Sequence, residues 1–345
     1  MLRHSNKGLV LIVFTLALAL LLAACGQSAN NSATDSAAAA NSSAASPTAS
    51  SAASPAAATG NADSTADVEM VTFQDSAGEV QVPKNPQRIV DTTAFYTGYF
   101  LALGVKPVGV MEGAMGNPYL AGMLDGVESL SNDVTPENIL ALDPDLIIVY
   151  TGTEGIDKLK EIAPVVQIQY GSKNYKDQML DFGKLTNKND EAKAWVDKWE
   201  AKIAELKPQV QAAVGDRTVS ILNPYAKGLF VFGHNYGRGG EILYGEFGLK
   251  APAEAQKEAI DSGTGWASIS LEKLPDFAGD IIFTCPWSGD TSDPKIVYDN
   301  PLWAGLPAVK AGNVFQLNPD ADTYNDPVSL EAQLDFITTS LLSVK

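Results

Sequence analysis

The stretch FGHNYGRGGEILY, residues 232–244, sets His234, Tyr236 and Arg238 among four glycines, Gly233, Gly237, Gly239 and Gly240. Arginine brings a fork of N–H donors and tyrosine a flat apolar face with a polar tip, so the chemistry within reach is ligand recognition by hydrogen bonding and stacking. Phosphate is the first ligand to weigh, because glycine-rich turns expose backbone N–H groups to anions. A P-loop requires Gly-x-x-x-x-Gly-Lys-Ser/Thr and a dinucleotide fold Gly-x-Gly-x-x-Gly, and neither spacing is present. The glycines are expected instead to free the backbone for unusual turns, so that Tyr236 and Arg238 project from a strand end before a helix begins near Glu241. A tight strand-to-helix connection with a solvated arginine accounts for the same residues.

Other chemistry is thinly supplied. The chain holds two histidines and two cysteines, and His4 lies within the first 24 residues. A bare zinc or manganese site needs several histidines and carboxylates converging, and only His234 remains to start one. Cys285 with His234 is the remaining thiol–imidazole pair for a hydrolase, without a third orienting group or a local hydrolase motif around either.

Residues 1–24 have the layout of an export signal: Arg3 and Lys7, the apolar run LVLIVFTLALALLL, then Ala23 and Ala24. LAAC, ending at Cys25, resembles a bacterial lipobox, in which cleavage precedes the cysteine and its thiol carries a lipid. Residues 25–67 are nearly all Ala, Ser, Thr, Asn, Gly and Pro with no aromatic side chain, too little apolar surface to offset ordering entropy. A flexible coil of this length would span roughly 35 Å, which suits a tether. Without Arg3 and Lys7 the chain carries 22 basic and 41 acidic side chains, a formal net charge of −19, which argues against nucleic acid as a partner. With Cys25 taken by lipid, Cys285 has no partner for a disulfide.

The elements that must position the site are legible as β-branched runs between helical stretches. QRIV (87–90), KPVGV (106–110), DLIIVY (145–150) and VVQIQY (165–170) precede TVSIL (218–222), GLFVFG (228–233), DIIFTCP (280–286) and VFQLNP (314–319). Continuous apolar strands between helices predict α/β lobes with covered sheets. A helical stretch from about Glu191 to Val214 carries Trp195, Trp199, Ile203, Leu206 and Val210 on one stripe, with a kink expected at Pro208. The expected architecture is α/β, two Rossmann-like lobes joined by that single long helix, with the ligand cleft between them. Residues 68–182 form the N-terminal lobe, 183–214 the connector and 215–345 the C-terminal lobe. TPENILALDPDLII from Thr135 and SLEKLPDFAGDII from Ser270 repeat one phrase. Thr135 and Ser270 are expected N-caps, with Glu137 and Glu272 in the first turns of equivalent helices, where a glutamate also complements the helix dipole.

Lipobox, tether, two lobes and one connecting helix together resemble a substrate-binding lipoprotein of an ABC importer, of the helical-backbone class III. NYGRGGEILYGEFGLKAP (235–252), GWASISLEKLPDFAGD (265–280) and DTYNDPVSL (322–330) are similar to the ferric-hydroxamate receptors of Gram-positive bacteria. The resemblance implies a monomeric receptor, lipid-anchored on the outer face of the cytoplasmic membrane, that binds a ferric siderophore and delivers it to an ABC permease, with no catalysis and no cofactor of its own. It implies that Arg238 hydrogen-bonds the hydroxamate oxygens around Fe(III) and that Tyr236 stacks on the siderophore. Tyr96 matches a tyrosine that faces the cleft in relatives, Phe230 stands where the family has tyrosine, and Tyr324 follows Thr323, where close relatives have tryptophan. Trp287 and Tyr225 are candidate aromatic walls, and His234 stands where the family has an acidic residue. Glu137 and Glu272 match glutamates that pair with arginines of the two permease subunits. A hexadentate hydroxamate leaves iron no free position, so donors and aromatic faces would hold it, and no protein metal ligand is implied. A tris-catecholate complex would favour several cations where these motifs supply one. Haem or cobalamin is the alternative ligand, with His234 or a tyrosine as an axial ligand to haem.

Overall fold

In the computed structural model, residues 68–345 are described apart from 132, 133, 288 and 290. The leader, the tether and Cys25 lie outside the described residues. Among the described residues twelve strands form three sheets. A hairpin of β1 (Met70–Gln74) and β2 (Glu79–Pro83) comes first. β3 (Ile89–Asp91), β4 (Gly109–Met111), β5 (Glu128–Leu130), β6 (Leu146–Tyr150) and β7 (Val165–Ile168) then build a parallel sheet in the order β5-β4-β3-β6-β7. Its centre is dry: Leu146, Ile147, Ile148 and Val149 of β6 are all fully buried, as a strand covered on both faces requires.

The second five-stranded sheet has the order β10-β9-β8-β11-β12, from β8 (Val219–Tyr225), β9 (Gly228–Phe232), β10 (Trp266–Ile269), β11 (Ile281–Thr284) and β12 (Val314–Gln316). It is mixed: β8, β11 and β12 are parallel, whereas β9 and β10 run antiparallel to their neighbours. Alternation along β9 decides what faces the site. Leu229 and Val231 enter the core of this lobe, while Phe230 and Phe232 share the opposite face.

The long helix spans Asn189–Val214 and is preceded by a separate helix, Tyr175–Leu185. It runs as one element through Pro208. Trp195, Trp199, Ile203 and Val210 are buried along the expected stripe, and Leu206 is partly buried. Trp195 and Trp199 stack at 5.5 Å, and the indole N–H of Trp199 donates to the Tyr175 hydroxyl at 2.6 Å. One apolar cluster joins these side chains to Ile148 and Val166 of the first sheet and to Val219, Ile221 and Phe283 of the second, so the helix packs both sheets into a continuous core. The C-terminal helix, Pro327–Leu342, lies against the long helix and against the helix Thr97–Ala102 of the first lobe. Its cap is Asp326, whose Oδ1 accepts from the N–H groups of Val328 and Ser329.

The repeated phrase folds differently in the two lobes. Thr135 caps the helix Pro136–Leu140, its Oγ1 accepting from Asn138 N at 3.3 Å. Ser270 makes no such bond, a correction to the expected cap. A 3-10 turn, Leu271–Lys273, leads into the helix Leu274–Phe277, and the Glu272 backbone N–H, with the Ser270 side chain, holds the Glu272 carboxyl below its ordinary value. Both glutamates are exposed.

Candidate ligand-binding site

The turn after β9 shows why glycines are required. Gly237 has φ +72°, and a Cβ there would sit 2.2 Å from the carbonyl oxygen of Thr323. A Cβ on Gly240 would meet the carbonyl oxygen of Gly233 at 1.9 Å. The turn therefore lies backbone against backbone with its neighbours and passes into a π-helix, Glu241–Glu246. Between these glycines Arg238 itself adopts φ +58°, rare for a side chain with a Cβ.

Arg238 is 7% exposed, and its guanidinium carbon lies 3.9 Å from the centroid of the Phe232 ring. Its Nη1 donates to the Tyr236 carbonyl at 2.8 Å, while Nε is buried without a protein partner. Glu241, the nearby acid, is committed elsewhere: its Oε1 accepts from Gly237 N at 3.0 Å and from Asn325 Nδ2 at 2.7 Å. Burial pushes the Glu241 carboxyl up and the Arg238 guanidinium down from their ordinary values. The arginine thus keeps donor capacity inside an apolar surround, as recognition of ligand oxygens demands.

A cavity of about 660 Å³ opens in front of it. Phe95, Tyr150 and Tyr170 come from the first lobe, and Phe230, Phe232, Tyr236, Trp266, Trp287, Thr323 and Tyr324 complete the wall with Arg238. No acidic side chain appears among the described lining residues. Tyr170 meets Tyr236 edge to face at 5.4 Å across the cavity, and Phe95 touches both Tyr170 and Tyr324. Phe230 is held by Trp287 at 4.9 Å and Trp266 at 5.6 Å. Among the described residues no cluster of His, Cys, Asp and Glu is arranged to hold a metal ion.

The structure brings Arg238, Tyr236, Phe230, Trp287 and Tyr324 to this cavity and places three other candidates outside it. Tyr96 stands at the start of the helix Thr97–Ala102 and packs inward on Tyr99 and Phe182; its neighbour Phe95 faces the cavity. Tyr225 does not line the cavity; it stacks on Phe230 at 4.2 Å with its hydroxyl bonded to Ser268. His234 is exposed and, with Tyr96, lines a second cavity of about 360 Å³. Cys285 is 3% exposed, accepts from Asn223 Nδ2, and has its thiol pushed up to about 12 by burial. Among the described residues no thiolate–imidazole pair is assembled, and the hydrolase alternative built on Cys285 loses its nucleophile.

The sequence does not single out Phe95, Tyr150, Tyr170, Phe232 or Trp266, and it marks Thr323 only as a departure from relatives. Two carried a signal: Tyr150 ends β6 and Tyr170 follows β7, at the carboxyl ends of parallel strands where α/β folds bind ligands.

Two lobes packed on one long helix, with an aromatic cleft between them, define a bilobed ligand-binding protein. A family model described as "Periplasmic binding protein" matches residues 89–321. The chain is 40% identical over 340 residues to the iron(3+)-hydroxamate-binding protein FhuD of Bacillus subtilis (strain 168), covering 98% of this chain and 99% of that one. It is 34% identical to YxeB of the same organism, also an iron(3+)-hydroxamate-binding protein, over 82% of this chain and 88% of the relative. Among solved structures, FhuD2 from Staphylococcus aureus with bound ferrioxamine B is similar with a TM-score of 0.69 at 32% identity, over 74% of this chain and 98% of that one. The chain belongs to the periplasmic binding protein family, in its class III, FhuD-like branch of non-catalytic transport components.

Proposed function

We propose that this chain is an exported, lipid-anchored, monomeric receptor that binds a ferric hydroxamate siderophore in the aromatic cavity and hands it to an ABC permease for iron uptake. The observation that carries the reading is a buried guanidinium with an unpartnered Nε, set in a wall whose described lining residues include no acidic side chain. A hydroxamate complex presents polarised oxygens around a bulky, nearly neutral body, which suits one donor group and many aromatic faces. Iron stays within the siderophore, and the protein supplies no ligand to it. The hydroxamate-binding relatives, which cover 98% and 82% of this chain, support the same ligand class.

The lipid on Cys25 and the tether over 25–67 would hold a receptor body of residues 68–345 at the outer membrane face. Glu137 and Glu272, both exposed at helix starts, would pair with permease arginines, one per lobe. His234 opens to the second cavity, so an axial haem ligand in the main cavity would have to be a tyrosine.

Trp266 and Trp287 line the cavity, so intrinsic fluorescence reports its occupancy. Titration with ferrioxamine B should give saturable quenching, and a ferric tris-catecholate should not. Saturation by haem, with a shifted Soret band and no response to ferrioxamine B, would overturn the reading.

A further inference from the structure

One short segment joins the ligand's arginine to the opposite lobe. Residues 322–326 carry Thr323 and Tyr324 into the cavity wall and lie on the turn that bears Arg238. The Arg238 N–H donates to the Asp322 carbonyl. The Asp322 carboxylate is buried and divided between two donors: Oδ2 accepts from Asn318 N at 2.6 Å, and Oδ1 accepts from the Tyr119 hydroxyl at 2.6 Å. Tyr119 belongs to the first lobe, in a 3-10 turn, Pro118–Leu120, capped by Asn117. Asn117 in turn donates to Ser329 Oγ at 3.0 Å, and the Tyr324 hydroxyl donates to the Gly113 carbonyl at 2.6 Å. The strip is therefore pinned to the first lobe on one side and to the Arg238 turn on the other.

We propose that Tyr119 is a positioning residue for Arg238, acting through Asp322. A left-handed φ at an arginine persists only where its surroundings over-determine it. Here the Asp322 carbonyl receives the Arg238 N–H, and the Tyr119 hydroxyl fixes Asp322. Separation of the lobes breaks the Tyr119–Asp322 bond, frees the strip, and lets Arg238 leave the geometry that aims its donors. Release at the permease would thereby be coupled to lobe opening without any change at the ligand itself. The binding part of this inference rests on the hydroxamate reading of the cavity.

Tyr119→Phe removes one hydroxyl and keeps the ring. Amide hydrogen exchange at Arg238 needs no ligand and should quicken about tenfold in this variant, while amides of β6 keep their rates. Unchanged exchange at Arg238 would overturn the proposal whatever the protein binds. Ferrioxamine B should dissociate several-fold faster from Tyr119→Phe than from the parent. In the Arg238→Ala background the same change should add nothing, because the effect runs through the arginine; an equal further loss there would show that Tyr119 acts on stability alone. A parent protein that ignores ferrioxamine B would sink the functional reading, with the exchange result still deciding the positioning role.

Discussion

The two walls of the cavity come from sheets of similar size and do different work. From the parallel sheet come Phe95, Tyr150 and Tyr170, with Tyr150 and Tyr170 at strand ends. These are flat faces whose polar tip, in Tyr150, is spent on the protein: its hydroxyl donates to the Thr93 carbonyl. From the mixed sheet come the two aromatics of β9, Trp266 opposite Phe232 on β10, and the glycine-framed arginine. β9 runs antiparallel to both of its neighbours, and the turn that follows it, before the π-helix, carries Arg238. Under the proposed function, the first wall would set the shape of the cavity and the second would orient the ligand.

The rim repeats the contrast on a smaller scale. Glu137 starts a helix capped by Thr135, whereas Glu272 is tied to Ser270. The largest effect expected from breaking the pair is on delivery. Replacing both glutamates with alanine should abolish siderophore-dependent iron uptake in cells while affinity and melting temperature stay near the parent values. Exposed ion pairs contribute only about 0–1 kcal/mol each, yet two that must form together fix orientation. Normal uptake at equal surface expression would leave the repeat as a record of shared helix starts.

The next effect in size separates the walls directly. Arg238→Ala removes hydrogen bonds from a charged donor, about 1.5–3 kcal/mol, so affinity for ferrioxamine B should fall roughly 10- to 150-fold. Equal affinity with intact folding would remove the arginine from recognition and leave the cavity as an aromatic container only.

Much of this division was legible beforehand, for reasons that can be named. β6 and β7 stand out as apolar runs, and the long helix as a stripe of Trp195, Trp199, Ile203 and Val210, because burial imposes those periods. β1, β2, β5 and β10 are not among the strands read from the sequence: β1 and β2 form a separate half-exposed hairpin, ESL is too short to show a period, and WASI alternates weakly and pairs only at the sheet edge. At the site, the Arg-Gly-Gly turn is a local signal and was readable as such. Which of Phe95 and Tyr96 faces the cavity was not, because Ala94, with φ +60°, redirects the chain just before them. Tyr225 has the right type and lobe and shares a sheet face with Phe230, but it stacks on that ring at 4.2 Å and does not line the cavity.

Tyr236 sharpens the comparison further, since it belongs to the second wall yet touches the first through Tyr170. Tyr236→Ala should weaken ferrioxamine B binding about 2- to 15-fold, corresponding to roughly 0.5–1.5 kcal/mol for an aromatic contact. Tyr236→Trp should retain affinity, because a larger face replaces the lost one. Loss of binding in the tryptophan variant would give the phenol a role of its own.

The smallest effect is expected at Tyr150, and it tests whether the first wall is only shape. Its hydroxyl donates to the Thr93 carbonyl at 2.6 Å, and burial raises the phenol well above its ordinary value, so the group neither ionises nor turns freely to a ligand. Tyr150→Phe keeps the ring and leaves one backbone carbonyl without this donor, at a cost of about 0.5–1.5 kcal/mol in stability. Affinity for ferrioxamine B should stay within about twofold of the parent, a change of less than ~0.4 kcal/mol. Thermal unfolding and fluorescence titration on the same preparation separate the two quantities. A drop in affinity comparable to that of Arg238→Ala would mean that the hydroxyl leaves Thr93 when ligand enters, and the first wall would then orient the ligand as the second does.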